Sequence, residues 1–111
     1  MTINKGDVII EVVNLVKATR EQAEEFKSIL LEHIDDDDIK LIVDIHQCDF
    51  LDSTFLSSLL IALKATIKKG GKLKLASPKH DVAEMLEATG MNRVFDIYPN
   101  ISDTIKSFNN R

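Results

Sequence analysis

Short aliphatic runs alternate with stretches of helical spacing along this sequence, and few architectures tolerate that order. Val8-Ile9-Ile10-Glu11-Val12-Val13 is rich in β-branched residues and reads as a strand buried on most sides. Thr19 opens a helix, because its hydroxyl can cap free N–H groups while Gln22 reaches back as the partner of a capping box. Ala23, Phe26, Ile29, Leu30 and His33 follow at helical spacing and predict a core-facing stripe that ends before Asp35–Asp38. Ile39 to Ile45 predicts a central strand. After the loop 46–52, a second helix starts at about Ser53 with Leu56, Leu59, Leu60, Leu63 and Ile67 inward and Ser57, Lys64 and Lys68 wet; Gly70-Gly71 stops it.

Lys72-Leu73-Lys74-Leu75 alternates strictly, which predicts a strand with one covered and one exposed face. Pro78 precedes a third helix whose Val82, Met85, Leu86 and Thr89 share a face before Gly90. Val94 to Tyr98 reads as a short strand closed by Pro99, and Asn100 caps a last helix with Ile101, Ile105 and Phe108 inward. Repeated strand–helix order implies an α/β fold. We expect one domain over residues 1–111, a strand–helix winding around a mixed, mainly parallel sheet with helices mostly on one face.

Composition narrows the function. The chain has 111 residues, suited to one domain, with 44% hydrophobic and 29% charged residues, so it has both a core and a solvated surface. Its net charge of −4 argues against nucleic acid as a partner, since phosphate neutralisation needs a basic excess. Cys48 is the only cysteine, which fits a reducing cytosol. Residues 1–7 contain no apolar stretch of signal-peptide length. The most apolar segment, Phe55 to Leu63, is too short to span a bilayer and is interrupted by Ser57 and Ser58. The expectation is a cytoplasmic protein with no membrane insertion.

The densest group of chemically capable residues lies at 41–60, where Asp52 and Ser53 fall at a helix start. Free N–H groups and the helix dipole favour an anion there, although either residue could be simply a cap. The order Asp49-Phe50-Leu51-Asp52-Ser53-Thr54, after a strand ending Val43-Asp44-Ile45 and before an apolar helix ending Lys68-Lys69-Gly70-Gly71, resembles the signature of STAS domains. Gly70-Gly71-Lys72-Leu73-Lys74-Leu75 and Thr89-Gly90-Met91 with Phe95-Asp96-Ile97 extend the resemblance, which covers residues 8 to 108.

The resemblance implies a bacterial anti-sigma factor antagonist: a non-enzymatic binding protein, without cofactor, that sequesters a serine-kinase anti-sigma factor and so releases a sigma factor. It implies that the kinase phosphorylates Ser53 and that a serine phosphatase reverses this. The partner surface would include Asp52, Ser53, Thr54, Phe55 and Ser57, with Thr54 the lesser phosphosite. An alternative within the same family is a constitutive subunit of a lipid-transport or stress-sensing complex that is not phosphorylated. Phe55 stands where the family usually has Gly; its ring either packs inward or anchors a partner, and it is expected to alter partner choice rather than folding. Asn14 to Thr19 replaces the family's usual Gly-x-Leu-Asp, so that loop is atypical and longer.

Other chemistries fit the residues less well. A phospho-acceptor receiver needs an acidic pair after its first strand, where Asn14, Leu15 and Val16 stand. His46 and Cys48 would be half a zinc site, with only His33, His80 or a carboxylate to complete it and none at motif spacing. A Ser53–His46–Asp44 triad lacks the nucleophile elbow, and Asp35–Asp38 lacks the spacing and closing Glu of a calcium loop. That acidic run is expected to fray the end of the first helix.

Overall fold

The computed structural model describes residues 1–109. In chain order the elements are β1 (Thr2–Lys5), β2 (Val8–Val12), β3 (Lys17–Ala18), α1 (Arg20–His33), β4 (Lys40–Asp44), β5 (Phe50–Leu51), α2 (Ser53–Lys68), β6 (Lys72–Ala76), α3 (His80–Ala88), a 3-10 turn (Met91–Arg93), β7 (Asp96–Tyr98) and α4 (Ile101–Asn109). Five strands form one sheet in the order β1-β2-β4-β6-β7, and β3 and β5 form a separate two-stranded pair. All pairings in the large sheet are parallel except β1 with β2. The α/β fold and the mixed, mainly parallel sheet are therefore as expected.

Side chains alternate across the sheet, so each strand feeds two cores. Leu41, Val43, Leu73 and Leu75 face α1, α2 and α3, meeting Phe26, Leu30, Phe55, Leu59, Val82 and Leu86 in the main core. Val8, Ile10, Val12, Ile42 and Ala76 face the other way, under Ile101, Ile105 and Phe108 of α4. Three helices on one face and one on the other match the expected layering. The aliphatic strands lack polar alternation because both faces are covered.

That second cover corrects the reading of β6. Lys74 does not face water but is 4% exposed beneath α4. Its Nζ donates to Ser107 Oγ at 2.8 Å and lies over the rings of Phe108 and Tyr98, 4.5 and 5.3 Å from their centroids. Aromatic faces and a hydroxyl replace some of the water that burial removes from the ammonium.

Further corrections are local. The last strand starts at Asp96 rather than Val94, since Met91–Arg93 form a 3-10 turn, Phe95 drops into the main core and Val94 is exposed. In α2, Ile67 is 62% exposed, whereas Thr66 is buried with its hydroxyl donated to Ala62 O at 2.7 Å. His33 is not part of an apolar stripe; its Nε2 lies 2.9 Å from Oε1 of the buried Glu11. Thr89 is the exposed C-cap of α3, donating its hydroxyl to Met85 O. Three residues after α2 the chain passes so close to the loop before β4 that a Cβ on Gly71 would lie 2.6 Å from Ile39 O, so only glycine fits.

Candidate functional site

The site is assembled at the N-terminus of α2. β5 pairs in parallel with β3, with Lys17 opposite Phe50 and Ala18 opposite Leu51. This small ladder ties the loop before α2 to the loop before α1, and Asp52 N extends it by donating to Ala18 O at 3.0 Å. The two helix starts are thereby held side by side. At α1, Thr19 and Gln22 complete the expected capping box.

Asp52 is the N-cap of α2, in extended conformation. Its Oδ1 accepts from Phe55 N at 2.8 Å and its Oδ2 accepts from Arg20 N, also at 2.8 Å. One half-buried carboxylate thus serves the N-termini of both helices. Ser53 occupies the first helical position, Thr54 the second, and both are exposed. Ser57 lies one turn further along and is also exposed. A shallow groove of about 210 Å³ runs from Ser53 and Ser57 past Leu56 and Leu60 to Thr89 and Met91. Asp52, Ser53, Thr54 and Ser57 therefore lie together.

Phe55 does not join them, which corrects its assignment to the partner surface. It is fully buried and stacks on Phe26, ring centroids 5.3 Å apart at an interplanar angle of 29°. As the third residue of α2 it points beneath the helix, so a partner cannot reach its ring. The exposed aromatic here is Phe50, 46% accessible, beside Val16, 58% accessible; Phe50 N donates to Val16 O. Sequence reading passed over both because two-residue strands leave no periodicity to detect.

The loop feeding α2 is rigidified from below. Buried Asp44 accepts from the backbone N and the Nδ1 of His46 through one oxygen, at 3.0 and 2.9 Å. Cys48 is fully buried, and its thiol is pushed up to about 11, chiefly by burial, with Asp44 adding to the rise and Lys79 opposing it. A thiol so hard to ionise makes a poor metal ligand or nucleophile. Asp49 pairs with Lys79 at 2.6 Å on the surface. Among the described residues, the metal-ligand types that converge are His80, Asp81 and Glu84, all exposed on the first two turns of α3, and Cys48 is not among them. Ser53 and His46 share no hydrogen bond; His46 is spent on Asp44. No described helix is long and apolar enough to cross a membrane.

The sequence matches the family model described as the STAS domain over residues 1–104. None of the curated proteins matches it in sequence. Its fold is similar to that of an anti-sigma-factor antagonist (STAS) domain protein from Planctomyces limnophilus, with a TM-score of 0.90 at 17% identity, covering 99% of this chain and 97% of that one. It is similar also to an anti-sigma factor antagonist from Mycobacterium paratuberculosis, with a TM-score of 0.87, 17% identity and coverage of 99% and 92%. A chain of the stressosome, a signal integration and transduction hub, has a TM-score of 0.72 at 19% identity, covering 96% of this chain and 94% of that one.

Proposed function

The chain belongs to the STAS domain family, and from that premise we propose that it is a regulatory binding protein, an anti-sigma factor antagonist switched by phosphorylation at Ser53. In this reading the unmodified chain binds a serine-kinase anti-sigma factor in the cytoplasm and frees a sigma factor. The kinase transfers the γ-phosphoryl group of ATP to Ser53 Oγ, ADP leaves, and the complex dissociates; a serine phosphatase restores the hydroxyl. The observation that carries the proposal is the exposed Ser53 hydroxyl at the first position of α2, beside an Asp52 whose two oxygens are already taken by backbone N–H groups. Ser53 is not needed as the cap, so its hydroxyl is available for chemistry.

Asp52, Thr54 and Ser57 complete the proposed contact surface, with the apolar groove alongside them. The expected result with the cognate kinase and ATP is a single phosphate, mapped to Ser53 by mass spectrometry and absent from Ser53→Ala. Undiminished labelling of Ser53→Ala would remove Ser53 from the assignment. Similarity to a stressosome chain supports the second reading, a constitutive subunit of a stress-sensing complex. That reading expects a stable assembly whose composition is the same for Ser53→Ala, Ser53→Asp and the unmodified chain.

A further inference from the structure

The shared carboxylate of Asp52 does more than cap two helices: it brings the start of α1 beside Ser53. Arg20 N and Phe55 N both bond to it at 2.8 Å, so the first residue of α1 and the first residue of α2 flank one carboxylate. Arg20 and Ser53 are both exposed there. Both Asp52 oxygens accept backbone N–H groups, and the Arg20 guanidinium forms no ion pair with that carboxylate. Among the described residues no carboxylate lies within ion-pair distance of it. The other charged groups at this end are Lys17, exposed on β3 opposite Phe50, Glu21, next to Arg20 in sequence, and Asp49 and Lys79, which pair with each other at 2.6 Å.

We propose that Arg20 is the counter-ion of phosphorylated Ser53, an inference that rests on the reading of Ser53 given above. A guanidinium presents N–H groups in a fork that matches two phosphate oxygens, and the bond from Arg20 N to Asp52 sets the start of α1 beside the head of α2. The pairing draws the phosphate down onto the domain, over the place where a partner would meet the hydroxyl. Phosphorylation then does not merely add repulsion. It builds a closed ion pair from a cation that the unmodified protein leaves unpaired.

The test installs phosphoserine at position 53 during synthesis, so that it needs no kinase. The second ionisation of the phosphate is followed by 31P NMR in the otherwise unmodified chain, in Arg20→Gln and in Arg20→Lys. A free phosphoserine titrates near pH 6, and an adjacent guanidinium favours the dianion. The expected midpoint is about half a pH unit lower, roughly a threefold change in proton affinity, than in Arg20→Gln. The Arg20 Nε–H resonance should move downfield on phosphorylation as it becomes a hydrogen-bond donor. Arg20→Gln keeps the backbone N–H to Asp52, so a merely structural role for residue 20 would leave the phosphate midpoint alone. Equal midpoints in the unmodified chain and Arg20→Gln, with an unmoved Nε–H, overturn the pairing. Failure of the cognate kinase to phosphorylate Ser53 would instead remove the functional reading while leaving this measurement intact.

Discussion

Removing the ring of Phe55 tests whether the residue two positions after Ser53 belongs to the core. The side chain is fully buried and stacked on Phe26 at 5.3 Å, so Phe55→Ala removes a large apolar group from the packed main core and leaves a cavity there. Phe-to-Ala changes in cores cost about 3–5 kcal/mol, and the lost aromatic pairing, about 0.5–1.5 kcal/mol, falls within that range. We take about 4 kcal/mol. With an unfolding entropy of about 2.1 cal/mol/K per residue, a chain of 111 residues should lose roughly 17 °C in Tm. Since small domains have about 5–15 kcal/mol in total, the variant should still fold in the cold. The chain has no Trp, so urea melts followed by far-ultraviolet circular dichroism are the suitable assay. A cycle with Phe26→Ala should return a coupling of about 1 kcal/mol. Partner affinity, measured well below the melt, should change little. A stability loss under about 1 kcal/mol together with a sharp loss of affinity would refute the reasoning, because it would put the ring outside.

Asp52→Ala should cost about 2 kcal/mol, at the upper end for a lost N-cap because two helices lose an acceptor; Asp52→Asn should retain part of this in chemical denaturation. Ser53→Asp should melt within about 0.5 kcal/mol of the unmodified chain, as exposed substitutions do. Its binding to the kinase should nevertheless be about a hundredfold weaker by calorimetry, the effect of about 2.7 kcal/mol, while Ser53→Ala binds normally; equal affinities for Ser53→Asp and the parent would contradict the charge switch. Burial raises the Cys48 thiol to about 11 from an ordinary value near 9, so the unfolded chain ionises first and stability contributed by Cys48 is lost as pH rises from about 9 to 11. Cys48→Ser should flatten that alkaline limb, and thiol-reactive dye should label the folded parent slowly even at pH 9. Burial pushes the Glu11 carboxyl up, yet hydrogen bonds from Thr2 and His33 and the Met1 amine outweigh it and leave the group below its ordinary value. Stability from Glu11 is therefore present above its unfolded value and lost as pH falls through the folded one, and Glu11→Gln should blunt the acid transition in a pH series of melts.

How much was legible in the sequence depended on how far each signal extended. The runs at 8–13 and 39–45 and the capping box at Thr19 are patterns of several residues, and each found its place. β1 escaped notice because Thr2–Lys5 is exposed throughout and shows no apolar period. β3 and β5, two residues each, cannot show a period at all, yet they bring the two helix starts together at Asp52. Lys74 misled because alternation of Lys and Leu reads as a wet face, and only the position of α4 shows that the lysine stem is covered. Phe55 was ambiguous because helical spacing near an N-terminus places a residue on an arc, and the Phe26 ring that receives it comes from a distant segment. The motif alone singled out Ser53 as a proposed site; that Asp52, bonded to both Phe55 N and Arg20 N, is the cap of α2 was not legible without the coordinates.

The parallel strands β2, β4, β6 and β7 are laid down in the order in which they are synthesised, each new strand added on the same side. In open α/β sheets the crevice that admits a small ligand opens where that direction of growth reverses. Growth here never reverses, so the carboxyl edge of the sheet is not split into a mouth. What the architecture offers instead is an edge of helix starts, with Ser53, Thr54 and Ser57 exposed beside a shallow groove. Side chains exposed along that edge can be exchanged without disturbing the packing beneath them, so what the edge binds and how the chain folds are set by different residues.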